Sequence, residues 1–184
     1  MFGSGYQICD PQAIHFVTCT VIQWADIFSR PLFANIIVES LKFCIQEKGL
    51  NVHARVTISN YIQLIVSTRE GFLLSNFLRD FKKFTAGKIL KTLSETNEES
   101  RKNWLLWLFK SAGKENIRNE KFQFWIQDNH PIELNIEERK KQKMNYLDMN
   151  PIRAGLVWEP WQYRYSSASD YMDNRQGLIN ISLI

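Results

Sequence analysis

Between Val52 and Val66 the chain alternates apolar and polar side chains on either side of a short turn, and each flank runs into a segment of helical period. Val52, Ala54, Val56 and Ile58 recur at every second position, Ser59-Asn60 supplies the turn, and Ile62, Leu64 and Val66 resume the alternation. A period of two lines up one set of side chains on one face of a pleated strand, so the stretch reads as a β-hairpin. Before it, Phe33, Ile36, Ile37, Leu41 and Ile45 recur at helical intervals between Pro31 and Gly49. After it, Leu73 to Leu93 carries an apolar stripe of Leu74, Phe77, Leu78, Phe81, Phe84, Ile89 and Leu90. Ala13 to Ile22, rich in β-branched and aromatic residues, reads as a first strand. Glu98 to Ser111 reads as a further helix, and Phe122 to Ile126 as a strand closing the sheet. The order strand, helix, hairpin, helix, strand fits an α+β fold in which an antiparallel sheet carries two helices on one face.

The C-terminal third holds the segment with most chemistry, Tyr146-Leu147-Asp148-Met149-Asn150-Pro151-Ile152-Arg153-Ala154-Gly155-Leu156-Val157. Asn135 and Glu138 are spaced as an N-cap and its capping-box partner, so a helix is expected from there to Asn150. Positions i and i+4 share a helix face, which points Tyr146 and Asn150 the same way. Pro151 disfavours helical geometry at the residue before it, so the helix is expected to stop at the Asn150 amide. The tail from Trp158 to Ile184 has too many aromatic and β-branched residues for a loose linker.

At 184 residues the chain is expected to form a single domain, residues 1–184. An apolar content of 45% with six tryptophans argues against disorder. The three cysteines, Cys9, Cys19 and Cys44, have no Cys-x-x-Cys spacing, which points away from a zinc site or disulfide framework and toward a reducing cytoplasm. Met1 to Tyr6 lacks the basic and apolar regions of a signal peptide, and the longest apolar run, Trp104 to Phe109, is too short to span a bilayer. A net charge of +4 is compatible with a nucleic-acid partner. Its distribution says more, with Arg79, Lys82, Lys83, Lys88 and Lys91 on one helix, Lys110, Lys114, Arg118 and Lys121 further on, and Arg139, Lys140, Lys141 and Lys143 before Tyr146. Such runs are usually solvated helix faces.

Four segments in order carry a family likeness: Val56 to Val66, Leu78 to Thr85, Asn150 to Val157, and Tyr165-Ser166-Ser167-Ala168. Together they resemble the REP-associated tyrosine transposases, relatives of the single-strand insertion-sequence transposases, over about Ile14 to Tyr171. The resemblance implies a ferredoxin-like core with a tyrosine-bearing helix near the other face of the sheet. It implies Tyr146 as the nucleophile that forms a 5′-phosphotyrosine, and Asn150 as the third ligand of a divalent ion, magnesium or manganese. The partner implied is single-stranded or hairpin DNA, with a homodimer compatible, and Arg79, Lys82, Lys83, Lys88, Arg118 and Arg153 as phosphate contacts. The chain departs from the family at the metal motif, where Asn-His-hydrophobe-His is replaced by Asn60-Tyr61-Ile62-Gln63.

That departure matters chemically. Gln63 offers one neutral oxygen, and Tyr61 only a phenol whose pKa near 10 keeps it protonated at neutral pH. His15, His53 and His130 are the remaining imidazoles, and each reads as an ordinary turn or edge histidine. Trp104, Trp107, Trp125, Trp158 and Trp161 offer stacking surfaces for unpaired bases, though most are expected to be core. Three readings stay open: a tyrosine transposase that nicks and rejoins DNA, an inactive domesticated hairpin binder, and an RNA-binding or protein-interaction module on the same fold.

Overall fold

A computed structural model describes residues 8, 10, 12–114, 121–127, 129–173 and 175–184. Arg118 therefore lies outside the described residues. The elements follow the order β1 (His15–Thr20), α1 (Pro31–Glu47), β2 (Leu50–Ile58), β3 (Tyr61–Thr68), α2 (Leu74–Glu95), α3 (Lys102–Lys114), β4 (Ile132–Glu133), α4 (Glu137–Asp148), α5 (Asn150–Arg153) and α6 (Ala168–Met172). The strands form one antiparallel sheet in the order β2-β3-β1-β4, the arrangement of the ferredoxin-like fold.

The two faces of the sheet are covered differently. Ile62, Leu64 and Val66 of β3 face α1 and α2, where Phe33, Ile37, Leu41, Phe77, Phe81 and Ile89 complete a large apolar core. Phe84, expected on that stripe, is instead 60% exposed and lines an open groove of about 740 Å³ between α1 and α2 with Leu32 and Phe43. The opposite face holds a smaller cluster, Phe16, Ala54, Val56, Ile58, Ile65, Leu134 and Leu147, on which α4 lies.

A β-bulge divides β2 between these faces. Val52 pairs with Val66 but Ala54 pairs with Ile65, so His53 is the inserted residue. Val52 stays in the α1/α2 core, while Ala54, Val56 and Ile58 turn to the α4 side. The uninterrupted alternation expected from Val52 to Ile58 is broken there.

Two expected boundaries also moved. Phe122 to Ile126 forms no ladder strand; it meets the end of β1 through a single bridge between Val21 and Trp125, and β4 at Ile132–Glu133 closes the sheet instead. Glu99 lies ahead of α3, its buried carboxylate gripped by Arg101 and Arg30, and the helix begins at Lys102 rather than Glu98. Arg101 holds this carboxyl well below the usual carboxylate range, chiefly through their hydrogen bond. The tail covers the outer edge of β2, where Thr57 N–H donates to Tyr165 O, Ser167 N–H to Arg55 O and Ser182 N–H to Val52 O. A covered edge cannot template pairing with another chain.

Candidate nucleic-acid interface

The helix bearing Tyr146 is polar along most of its length, with only Leu147 and Asp148 buried. It therefore docks by its C-terminal end, against β2 and β3. Its N-cap is Ile136 rather than Asn135, and no side chain caps it. Glu137 instead pairs with Lys140 at 2.6 Å, an i,i+3 ion pair on the exposed side. Nor does the chain leave helical geometry at Asn150. Met149 marks a joint, and Asn150 begins α5 with Pro151 in its first turn, where a missing N–H costs nothing. The joint turns the Asn150 side chain down onto the sheet.

There it meets Gln63. Asn150 Nδ2 donates to Gln63 Oε1 at 2.5 Å, and both residues are buried. Tyr61 and Gln63 thus face α4 and not the α1/α2 core, as the alternation of β3 requires. Tyr146 stands close by at 39% exposure, its ring meeting Phe16 edge-on with centroids 6.3 Å apart. Burial pushes the Tyr61 phenol up; neighbouring Tyr146 pushes the same way and Arg153 opposes both. Tyr61, Gln63, Tyr146 and Asn150 are therefore gathered at one end of one sheet face.

Cations flank the tyrosine. The Lys143 ammonium lies 5.5 Å from the Tyr146 ring centre and 4.6 Å from that of Phe16, and the Arg153 guanidinium carbon lies 5.2 Å from Tyr146. Neither pairs with a carboxylate among the described residues. Lys143 was legible only as one charge in a basic run; the helical spacing of 143 and 146 is what singles it out.

The donor set does not fit a magnesium or manganese ion. Hard cations are held by oxygen sets that include carboxylates, whereas this site offers a phenol and two neutral amides. Those amides already satisfy each other; whichever way they are turned, the pair consumes one carbonyl oxygen. Among the described residues no three His, Cys, Asp or Glu side chains gather where an ion could sit. His53 does share the face of Tyr61, but at the far end of β3. Its ring nitrogens are taken by Ser182 O (2.7 Å) and Ser67 Oγ (2.9 Å), and burial lowers its pKa. His15 bonds to Ala13 O, and His130 is exposed.

The basic run of α2 does not join this site, because α2 packs on the opposite face of the sheet. Lys82 is a correction in its own right. Its ammonium donates to Ile126 O (2.6 Å), Gln127 O (3.4 Å) and Asn129 Oδ1 (3.2 Å), tying α2 to the segment after Trp125 rather than facing a phosphate. Arg79 pairs with Asp80 at 3.0 Å, while Lys83 and Lys88 remain exposed. Among the tryptophans Trp125 is core, whereas Trp158 is 90% exposed. Trp24, which the sequence did not single out, is 62% exposed.

No family model matches the chain, and no curated protein matches it in sequence. Among solved structures it shares its fold with a REP-associated tyrosine transposase bound to a REP hairpin, at a TM-score of 0.64 and 11% identity over 98% of this chain and 92% of that one. A transposase candidate from Deinococcus radiodurans R1 superposes on 80% of this chain and 95% of its own at a TM-score of 0.45 and 12% identity. The fold expected from the motifs is the fold the chain has. No helix among the described residues is long and apolar enough to cross a membrane.

Proposed function

We propose that this chain is a transposase-like DNA-binding protein that holds a folded single strand, a DNA hairpin, against the α4 face of its sheet without metal-dependent cleavage. The observation that carries the reading is the pair of carboxylate-free cations, Lys143 and Arg153, on either side of a partly exposed Tyr146. Phosphate contacts of this kind supply most sequence-independent affinity for nucleic acid and make it salt-dependent. The shared fold supports the same reading, since that neighbour was solved with a REP hairpin bound.

The proposed loss of cleavage follows from the ligand set. A phenol attacking a phosphodiester needs charge offset on the phosphate oxygens and on the leaving 3′-oxygen. Lys143 and Arg153 can bind a phosphate, but among the described residues no ion pair fixes either of them, and transition-state stabilisation requires fixed geometry. The Gln63 and Asn150 amides, at positions that the resemblance assigns to metal ligands, bond to each other instead.

The test is a binding and adduct assay on one set of probes: a DNA hairpin, a blunt duplex and an RNA hairpin, each in EDTA and in magnesium or manganese. The wild-type protein is expected to bind the DNA hairpin best, equally with and without metal, and to form no covalent adduct on a denaturing gel. Tyr61→His with Gln63→His is expected to introduce metal binding, and any adduct it forms should vanish on Tyr146→Phe, which lacks the nucleophilic oxygen. A wild-type adduct in magnesium or manganese would overturn the inactive reading. Preference for the RNA hairpin would overturn the DNA reading.

A further inference from the structure

The open groove between α1 and α2, about 740 Å³, leaves apolar walls in solvent on the side of the domain away from Tyr146. Of its lining aromatics Phe77 and Phe81 are buried, whereas Phe43 is 54% exposed and Phe84 60%. An apolar patch that is continuous and rimmed by charge marks a binding surface. The charge at its rim is not balanced. Glu39 pairs with Lys42 (2.9 Å), and Asp80 with Lys48 (3.8 Å) and Arg79 (3.0 Å), so the carboxylates are engaged. Lys83 and Lys88 line the same groove, are exposed, and pair with no carboxylate among the described residues.

Gly87 adds an independent observation. It sits inside α2, three residues after Phe84 and four after Lys83, on the helix face they share. Glycine at such a position weakens a helix relative to alanine. A Cβ added there would meet nothing within 4 Å, so no packing among the described residues calls for the missing side chain. The shape selects the ligand. The α1 wall runs from Leu32 to Lys48, about 24 Å at 1.5 Å per residue. Leu32, Ile36, Glu39 and Phe43 follow one another at intervals of four, three and four along it, one continuous row on a helix. Two antiparallel helices with an open furrow between them are a seat for a third.

We infer that the α1/α2 groove docks an amphipathic helix of a partner protein whose apolar row is flanked by carboxylates. The apolar row enters between Phe43 and Phe84, the carboxylates meet Lys83 and Lys88, and the partner backbone passes close over Gly87. A second copy of this chain offers no such helix among the described residues. The exposed aromatics of α3, Trp104 and Trp107, are accompanied by the exposed Lys110 and Lys114, which would repel Lys83 and Lys88.

The experiment measures binding of labelled synthetic helical peptides to the full chain by fluorescence anisotropy at low salt. One peptide carries Leu and Phe at helical anchor spacing with Glu beside them, a second replaces each Glu by Lys, and a third scrambles the first. The Glu peptide is expected to bind at least about 10-fold more tightly than the other two. Lys83→Glu with Lys88→Glu should invert the preference between the Glu and Lys peptides, which a misfolded protein could not do. Gly87→Leu should weaken the Glu peptide about 10-fold while keeping or raising the melting temperature, since leucine favours the helix and meets nothing in this chain. None of these variants should change affinity for the DNA hairpin. Equal affinity for the Glu and Lys peptides, no binding of the Glu peptide, or undiminished binding by Gly87→Leu would each overturn the inference. So would a dimer of the protein alone in sedimentation that Phe43→Ser with Phe84→Ser dissolves, since the groove would then belong to a second copy.

Discussion

The α1/α2 face of the sheet and its α4 face are built from the same strands but to different ends. On the first, Ile62, Leu64 and Val66 meet two helices through a continuous apolar core. On the second, the small apolar cluster is interrupted by buried polar groups: Gln63, Asn150, Asp148 and His53. Apolar packing is the main source of folding free energy, and buried polar groups add little unless each is satisfied. One face therefore stabilises the domain, and the other carries the features expected of a working surface. On this second face the Asn150 and Gln63 amides are buried and bonded to each other.

The largest effect should come from truncating the first face. Phe81, 2% exposed against α1 and β3, should cost about 3–5 kcal/mol on Phe81→Ala, read as a fall in the urea midpoint. A cost under about 1 kcal/mol would mean that this face is not where stability resides.

Asp148 should behave in the opposite way. It is 4% exposed, its Oδ1 has no hydrogen-bond partner, and burial raises its pKa from an ordinary 3.8 to about 6. An acid with a raised folded pKa favours folding only while protonated. That contribution is complete below about pH 4 and is lost as the pH climbs through about 6. Each pKa unit between the folded and unfolded chain corresponds to about 1.4 kcal/mol, so Asp148→Asn should stabilise the domain by up to about 3 kcal/mol at pH 7. At pH 3.5 the same change should have little effect. Denaturant titrations at both pH values check this, and a loss of stability at pH 7 would show that the carboxylate has a partner.

A smaller effect should follow from breaking the amide pair. Asn150→Leu alone leaves the Gln63 side chain buried and unpaired, at about 1–3 kcal/mol. Adding Gln63→Leu should recover most of that loss, a coupling that a double-mutant cycle reads directly. Additive losses would mean the two amides do not depend on each other.

The α1/α2 face was largely legible in the sequence because its signal is periodic: α1, α2 and β3 follow the apolar intervals that predict them. The α4 face was legible only in part. Tyr61 and Gln63 fell on it by alternation, whereas Asn150 reaches it through the joint at Met149, which separates it from the helix of Tyr146. The bulge at His53 was not readable, since one inserted residue leaves the apolar composition of β2 unchanged while turning Ala54, Val56 and Ile58 to the other side. Lys82 looked like its neighbour Lys83, and what distinguishes the two is a set of acceptors distant in sequence, the Ile126 and Gln127 carbonyls and Asn129 Oδ1. The left-handed backbone at Trp24 (φ 54°) carried no local signal, because the contacts around it come from distant residues: Ile22 N–H donates to Phe124 O, and Asn60 Nδ2 to Trp24 O.

The most direct test of the division between faces is the salt dependence of hairpin binding in EDTA. Lys143→Met with Arg153→Met should lower the slope of log affinity against log salt by about 1.4 to 1.8, at 0.7 to 0.9 per phosphate contact, without lowering the melting temperature. Lys83→Met with Lys88→Met, on the α1/α2 side, should leave that slope nearly unchanged. The reverse pattern, with the slope carried by Lys83 and Lys88 and untouched by Lys143 and Arg153, would contradict the account.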